Sequence, residues 1–228
     1  MGNSVSLSHT GSYSRSATIQ TMKIDQRHYD QKISTRGELI TLAAFASLFL
    51  LLMILEILNN YTPPKLAALF FLLWWMPLVF VHECGHAIMA KLLGWDIQRT
   101  VIGFGRTIYQ GQLFNAPFEL RMFPIEGFVQ FEPRSTYEAG WKHALTYFAG
   151  PGIELLLFFV LLAFFGAENF FFIEDDYLKL ALQSLGFAAL AGAIINLIPT
   201  GIITKDGETP NDGLGILRSL WGSEKKTN

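Results

Sequence analysis

Apolar and polar positions in this chain fall into long blocks, not into one repeating pattern. Residues 1–36 are polar, Ser-rich and without apolar period, which predicts a flexible tail. From Leu39 to Leu58 the one charge is Glu56, near the far end. At ~1.5 Å per residue such a run crosses ~30 Å of hydrocarbon. Asn59-Asn60-Tyr61-Thr62-Pro63-Pro64 reads as a turn. A second span is expected over 66–93, opening with sixteen uncharged residues from Leu66 to Val81. Residues 95–140 are different. Arg99, Arg106, Glu119, Arg121, Glu126, Glu132 and Arg134 break them up, and the stretches Phe118–Met122 and Phe128–Glu132 mostly alternate. That alternation argues for half-buried strands. A third span is expected over 144–165, broken by Gly150-Pro151-Gly152 and carrying Glu154. An acidic loop with Glu168, Glu174, Asp175 and Asp176 follows. A fourth span over 180–199 holds Gly186, Ala188, Ala189, Gly192 and Ala193, small residues that permit close helix contact.

The predicted fold is therefore an all-α polytopic membrane protein. Four transmembrane helices carry a small membrane-associated β-hairpin sheet between the second and third, lying against the membrane face. The expected organisation is a tail over 1–36, a membrane-embedded core over 37–213 and a second polar tail over 214–228, in which Leu214–Trp221 forms a short helix.

The second span ends in chemistry. His82-Glu83-Cys84-Gly85-His86 fits H-E-x-x-H, in which two histidines four apart share one helix face and can bind one zinc ion. Glu83 lies one step round the helix, the place for a general base. Cys84 points to the far side and is expected to pack. A pair of histidines on a helix is often just a hydrogen-bonded pair. In lipid, however, His and Glu are expensive, and an ionisable residue there is a functional-site hypothesis by default. Pro77, five residues before His82, removes a helix hydrogen bond and predicts a kink above the site.

Composition supports the membrane reading. Of 228 residues 51% are hydrophobic and 16% charged, against about 25% charged in soluble domains. A net charge of -2 gives no reason to expect a nucleic-acid partner. A single cysteine excludes internal disulfides. No apolar run precedes residue 39, so no secretory signal is expected. The opening Met1-Gly2-Asn3-Ser4-Val5-Ser6 fits the loose N-myristoylation pattern, a match common by chance. Lys and Arg are concentrated in the N-terminal tail, the 95–142 segment and the C-terminal tail, whereas Lys65 and Lys179 mark the other side. The positive-inside rule then makes both termini cytosolic, with His82 and His86 in the cytosolic half of the bilayer.

A catalytic zinc takes three protein ligands and leaves a position open. Asp206 and Asp212 follow the inward end of the fourth span, Glu154 lies in the third and His143 starts it. His9 and His28 belong to the tail. Asp212 is preferred over Asp206. Asp206 sits in Lys205-Asp206-Gly207-Glu208, a solvated turn by composition. Asp212-Gly213 leads into Leu214, Leu217, Leu220 and Trp221, one apolar helical face able to dock, with Asn211 or Asp212 as its cap.

Together with the H-E-x-x-H, several short motifs recur in order: Gly103-Phe104-Gly105, Gly127-Phe128-Val129, Ala149-Gly150-Pro151, Asn196-Leu197-Ile198-Pro199 and a later Asp-Gly. In these the chain resembles the site-2 proteases, zinc intramembrane metalloproteases, over residues 66–217. The resemblance implies that His82, His86 and the late Asp bind zinc, that Glu83 is the base, and that Asn196 faces the site to hold substrate or the developing oxyanion. It is to a minimal core without a PDZ domain. Two positions depart from it. The family pattern N-x-x-P-x-x-x-x-D-G is stretched here, with Asp206 ten and Asp212 sixteen residues after Asn196. Glu154 stands where the family often has Asn.

The expected function is a zinc-dependent intramembrane endopeptidase that cleaves transmembrane segments of other membrane proteins, as in regulated intramembrane proteolysis. The protein would sit in a bacterial inner membrane. Its partners would be a membrane-spanning protein substrate and the lipid bilayer. An unwound substrate segment would add to an edge strand of the 99–132 hairpin. Three alternatives compete. A zinc-binding scaffold or pseudoprotease has no need of Glu83. A metalloprotease class with a glutamate third ligand has Glu154 as its intramembrane candidate. A transporter would show paired broken helices.

Overall fold

A computed structural model describes residues 36–59, 61–133, 139–172, 175–204 and 207–221. The N-terminal tail with His9 and His28, Arg134, Glu174, Asp206 and residues 222–228 lie outside them. The elements in order are helix α1 (Arg36–Asn59), a 3-10 turn (Pro63–Lys65), α2 (Leu66–Leu92), β1 (Asp96–Leu113), β2 (Ala116–Glu132), α3 (Gly140–Phe165), α4 (Ala167–Phe171), α5 (Tyr177–Leu197), β3 (Gly201–Thr204), β4 (Gly207–Pro210) and α6 (Asp212–Trp221). Three helices are long and apolar enough to cross a membrane: Pro63–Leu92, Gly140–Phe165 and Tyr177–Leu197. Ala43–Asn59 is a shorter apolar helix among the described residues. Residues 50–203 and 208–221 form one unit, and every residue of the candidate site lies in it.

α2, α3 and α5 pack on one another. Leu78 of α2 meets Ala188 and Ala189 of α5, with Trp74, Leu157 and Leu185 around them. Ala188, Ala189 and Ala193 are fully buried, as the small-residue stripe predicts. The Trp74 Nε1–H donates to the Ala181 carbonyl at 2.9 Å. At the start of both helices the Tyr61 and Tyr177 hydroxyls are 2.7 Å apart, so α2 and α5 run in the same direction. α3 runs the opposite way: its first turns lie beside His86 and its Leu157 beside Leu78. The Gly150-Pro151-Gly152 run does not break α3, contrary to its reading as a helix breaker. The helix continues through Pro151 to Phe165, and α2 likewise continues through Pro77.

The sheet is more folded than a plain hairpin. β1 and β2 join through Phe114-Asn115, both at positive φ (53° and 62°), the geometry of a tight two-residue hairpin turn. Their antiparallel register is irregular. Thr100 partners Val129 on one side and Phe118 on the other; Val101 partners Phe128 and Glu119; Ile102 partners Gly127 and Leu120. The ribbon thus bends back on itself, with 100–102 flanked on both sides. Gly103 and Gly105, at φ +88° and +86°, make that bend, since no side chain with a Cβ sits easily there. Residues 107–113 and 127–132 are left as the outer edges. The sheet is seated on α2 through Ala87, Ile97 and Ala116 at one end. At the other the Trp75 Nε1–H points to the Ile125 carbonyl at 3.4 Å. Twelve residues separate those contacts along α2, roughly 18 Å at ~1.5 Å per residue. The sheet therefore lies along much of α2, not only at its C-terminal end.

Candidate active site

His82 and His86 stack one turn apart on α2 with ring centroids 4.8 Å apart, and both are buried. Their Nε2 atoms are 3.1 Å apart. Asp212, first residue of α6, faces both: its Oδ2 lies 3.0 Å from His82 Nε2 and its Oδ1 3.4 Å from His86 Nε2. These three form the one candidate metal-binding group found among the described residues. Burial pushes the Asp212 carboxyl up, but its contacts with His82 and His86 outweigh this and hold it at about 2.

The donor set fits a zinc ion. Four ligands at ~2.0–2.1 Å in a tetrahedron stand about 3.3 Å apart, close to the separations found. The protons fit as well. The His86 Nδ1–H donates to the Thr146 carbonyl at 2.7 Å, which leaves its Nε2 as a lone pair. Neutral imidazoles in that tautomer turn two lone pairs and a carboxylate on one another, an arrangement that a cation satisfies.

Glycines make the room. A Cβ on Gly150 of α3 would lie 2.6 Å from His82 Nε2 and collide with His86 Nε2 as well. A Cβ on Gly127 of β2 would lie 2.7 Å from Glu83 Cγ, so the outer edge of the sheet runs directly against that side chain. Gly85 lets α2 meet the Ala149 backbone, and Gly213 lets α6 meet the Leu197 backbone.

Asp212 is held by its neighbour. Asn211 Oδ1 accepts from the Leu214 N–H at 3.1 Å and from the Thr200 N–H at 3.0 Å. Its Nδ2 donates to the Asn196 and Ile198 carbonyls at 3.1 and 2.7 Å. Asn211 thus caps α6 and ties it to the end of α5. β3 and β4 pair with each other, and the Asn211 N–H returns to the Thr200 carbonyl at 3.0 Å. The stretched family spacing is therefore a hairpin that loops out and closes at its base.

Residues 70–204 match the sequence model of peptidase family M50, more than half of the chain. The chain belongs to peptidase family M50, the site-2 proteases. This M50 protein is similar to the zinc metalloprotease Rip1 of Mycobacterium tuberculosis, 31% identical over 98 residues that make up 37% of this chain and 24% of that protein. The Mycolicibacterium smegmatis Rip1 is 26% identical over 102 residues, 37% of this chain and 25% of that protein. The chloroplastic membrane metalloprotease ARASP of Arabidopsis thaliana is 39% identical over 54 residues, 24% of this chain and 12% of its own. The chain spans about a quarter of the length of the mycobacterial relatives it matches. With its three apolar helices, the M50 protein is an integral membrane protein.

Of the residues singled out in the sequence, His82, Glu83, His86 and Asp212 come together. Cys84 is half-buried and outside the metal-binding group. His143 packs its ring on Trp95 at 4.7 Å. Asn196 meets Asn211 through its backbone carbonyl. Glu154 lies beside His82, not among the atoms that converge on Asp212. Sequence reasoning missed the Thr146 carbonyl and the packing duties of Gly127 and Gly150. A backbone carbonyl has no sequence signal, although Gly127 and Gly150 both stand inside motifs already noted.

Proposed function

We propose that this M50 protein is an intramembrane endopeptidase that cleaves membrane-spanning segments of other proteins. The observation that carries the reading is the convergence of His82 Nε2, His86 Nε2 and an Asp212 carboxylate oxygen, with Glu83 alongside, in a helix long enough to cross a bilayer. His82, His86 and Asp212 are the ligands in this reading. Zinc bound there would polarise the scissile carbonyl and make water a nucleophile near neutral pH. Glu83 takes the proton of the attacking water and passes it to the leaving amine. Gly127, pressed against Glu83, keeps the carboxyl on the sheet side of the histidines. Asn196 holds the substrate or the developing oxyanion.

The substrate must be unwound, because a helix hides its carbonyls. The outer edge at 127–132 runs next to Glu83, and an extended segment adds there as a strand. α1 is a fourth span in this reading, and both termini are cytosolic, as in a bacterial inner membrane. The test is incubation of the purified protein with a single-span substrate, with and without a zinc chelator, alongside Glu83→Gln. Cleavage should vanish with the chelator and in Glu83→Gln, while Glu83→Gln keeps about one zinc per chain because a base is not a ligand. Zinc loss in that variant overturns the role of Glu83.

A further inference from the structure

We propose that Glu154 is a positioning residue for His82. Its carboxylate accepts the Nδ1 proton of the imidazole and holds the ring in the tautomer and orientation that present the Nε2 lone pair to zinc. This rests on the ligand reading above and adds a residue to it.

The geometry separates Glu154 from the ligands. The two ring nitrogens of an imidazole point to opposite sides. His82 Nε2 faces Asp212 at 3.0 Å and His86 Nε2 at 3.1 Å, so Nδ1 faces away from the ion's position. Glu154 Oε2 lies 3.1 Å from that Nδ1. It stands behind the ring and cannot ligate an ion held by the Nε2. The contact is close enough for a charge-assisted bond, yet it is oblique, and neither atom has another aligned partner.

Three elements place this carboxyl. Glu154 is 3% exposed on α3 and His82 is 6% exposed on α2. The room is made by Gly192 of α5, where a Cβ would lie 2.8 Å from Glu154 Oε1 and 3.2 Å from its Cδ. The face of α3 that meets the histidines repeats every four residues: the Thr146 carbonyl backs His86, Gly150 clears the two Nε2 atoms, and Glu154 backs His82. Both histidines therefore have an acceptor behind them. One is a backbone carbonyl; the other is a side chain and can be removed. Without it, the Nδ1 proton loses its partner in a dry interior, and the tautomer that places the proton on Nε2 gains at the expense of the one that binds metal.

The test measures zinc affinity of the full-length protein by competition with a chelator, together with the melting temperature of the metal-free protein. Glu154→Ala should bind zinc about 10–100-fold more weakly, the range for lost partners of metal-binding histidines. Glu154→Gln keeps an acceptor oxygen and should stay within about threefold of the parent. Gly192→Ala, which displaces the carboxyl without touching a ligand, should weaken binding to an intermediate degree. The inference is overturned if Glu154→Ala binds zinc like the parent, or if Glu154→Gln falls as far as Glu154→Ala. A residue serving only the fold would lower the metal-free melting temperature and leave zinc affinity of the folded fraction unchanged, which also overturns it. Should Glu154→Ala fail to fold, parental affinity in Gly192→Ala decides against the inference. His82→Ala separates the two readings: parental affinity there refutes the ligand assignment itself, whereas loss there with parental affinity in Glu154→Ala refutes the role of Glu154 alone.

Discussion

At the scale of single residues, the site divides into what spacing dictates and what close packing dictates. His82, Glu83 and His86 were legible because a helix fixes their relative positions whatever surrounds it. Asp212 was legible for a different reason: the apolar positions after it predicted a docked helix, and Asn211 does cap that helix. Gly150 was visible as a motif but not as a cavity wall. It yields a sharp prediction. In Gly150→Ala the new methyl falls on both Nε2 atoms, where Gly85 already brings α2 against the neighbouring Ala149 backbone. Zinc content should drop well below one per chain while the helical content in detergent is retained, read by metal analysis and circular dichroism. Full zinc in Gly150→Ala would mean that the ion sits elsewhere. The choice between the two late aspartates is tested the same way. Asp212→Ala should lose zinc and Asp206→Ala should keep it; the reverse result would move the third ligand to Asp206.

At the scale of elements, the helices were read more closely than the sheet. Long apolar runs set α2, α3 and α5 within a few residues, because lipid leaves the backbone no alternative to helix over such lengths. Gly150-Pro151-Gly152 looked like a break, since proline removes one hydrogen bond and glycine weakens a helix. In α3 one missing bond is tolerated, and the glycine serves the approach of the histidines. The fold-back of the sheet was hidden because alternation predicts strands but not their register. The bend at Gly103 and Gly105 folds 118–120 onto the other side of 100–102 and leaves 127–132 as an outer edge beside Glu83. That edge carries the third prediction. Proline placed in turn at Val129 and Gln130 meets N–H groups that alternate between β1 and the open side. Where the open-side donor is lost, cleavage of a spanning substrate should slow by about tenfold or more, the worth of ~1.4 kcal/mol in a lost hydrogen bond, with zinc content unchanged. If every such variant that keeps its zinc also keeps its cleavage rate, the substrate is held by something else.

At the scale of the whole molecule, the question is which side of the membrane the site opens to, and charge and helix direction together yield a prediction. α2 and α5 start at one end, where the Tyr61 and Tyr177 hydroxyls meet, and finish at the other, where His86, Asn196 and Asp212 gather. Lys65 and Lys179 belong to the starting end; Arg99, Arg106, Arg121 and Lys142 belong to the segment that joins the finishing end of α2 to the start of α3. Cytosolic loops collect Lys and Arg, so the prediction is that the finishing end faces the cytosol and the chain after α5 stays there. The position of the N-terminus then depends on α1. Lys65 forms an ion pair with Glu56 across the turn at 59–64, which sets the end of α1 beside the start of α2. If α1 crosses, four spans put both termini in the cytosol; if it lies along the surface, three spans put them on opposite sides. Reporters that fluoresce only in the cytosol, or act only outside it, fused in turn to Met1 and Asn228, distinguish these cases. Both fusions should report cytosol, and Glu83→Gln should give the same pattern, since topology does not depend on catalysis. An external N-terminus with a cytosolic C-terminus would remove α1 from the spans and leave a three-helix protease core.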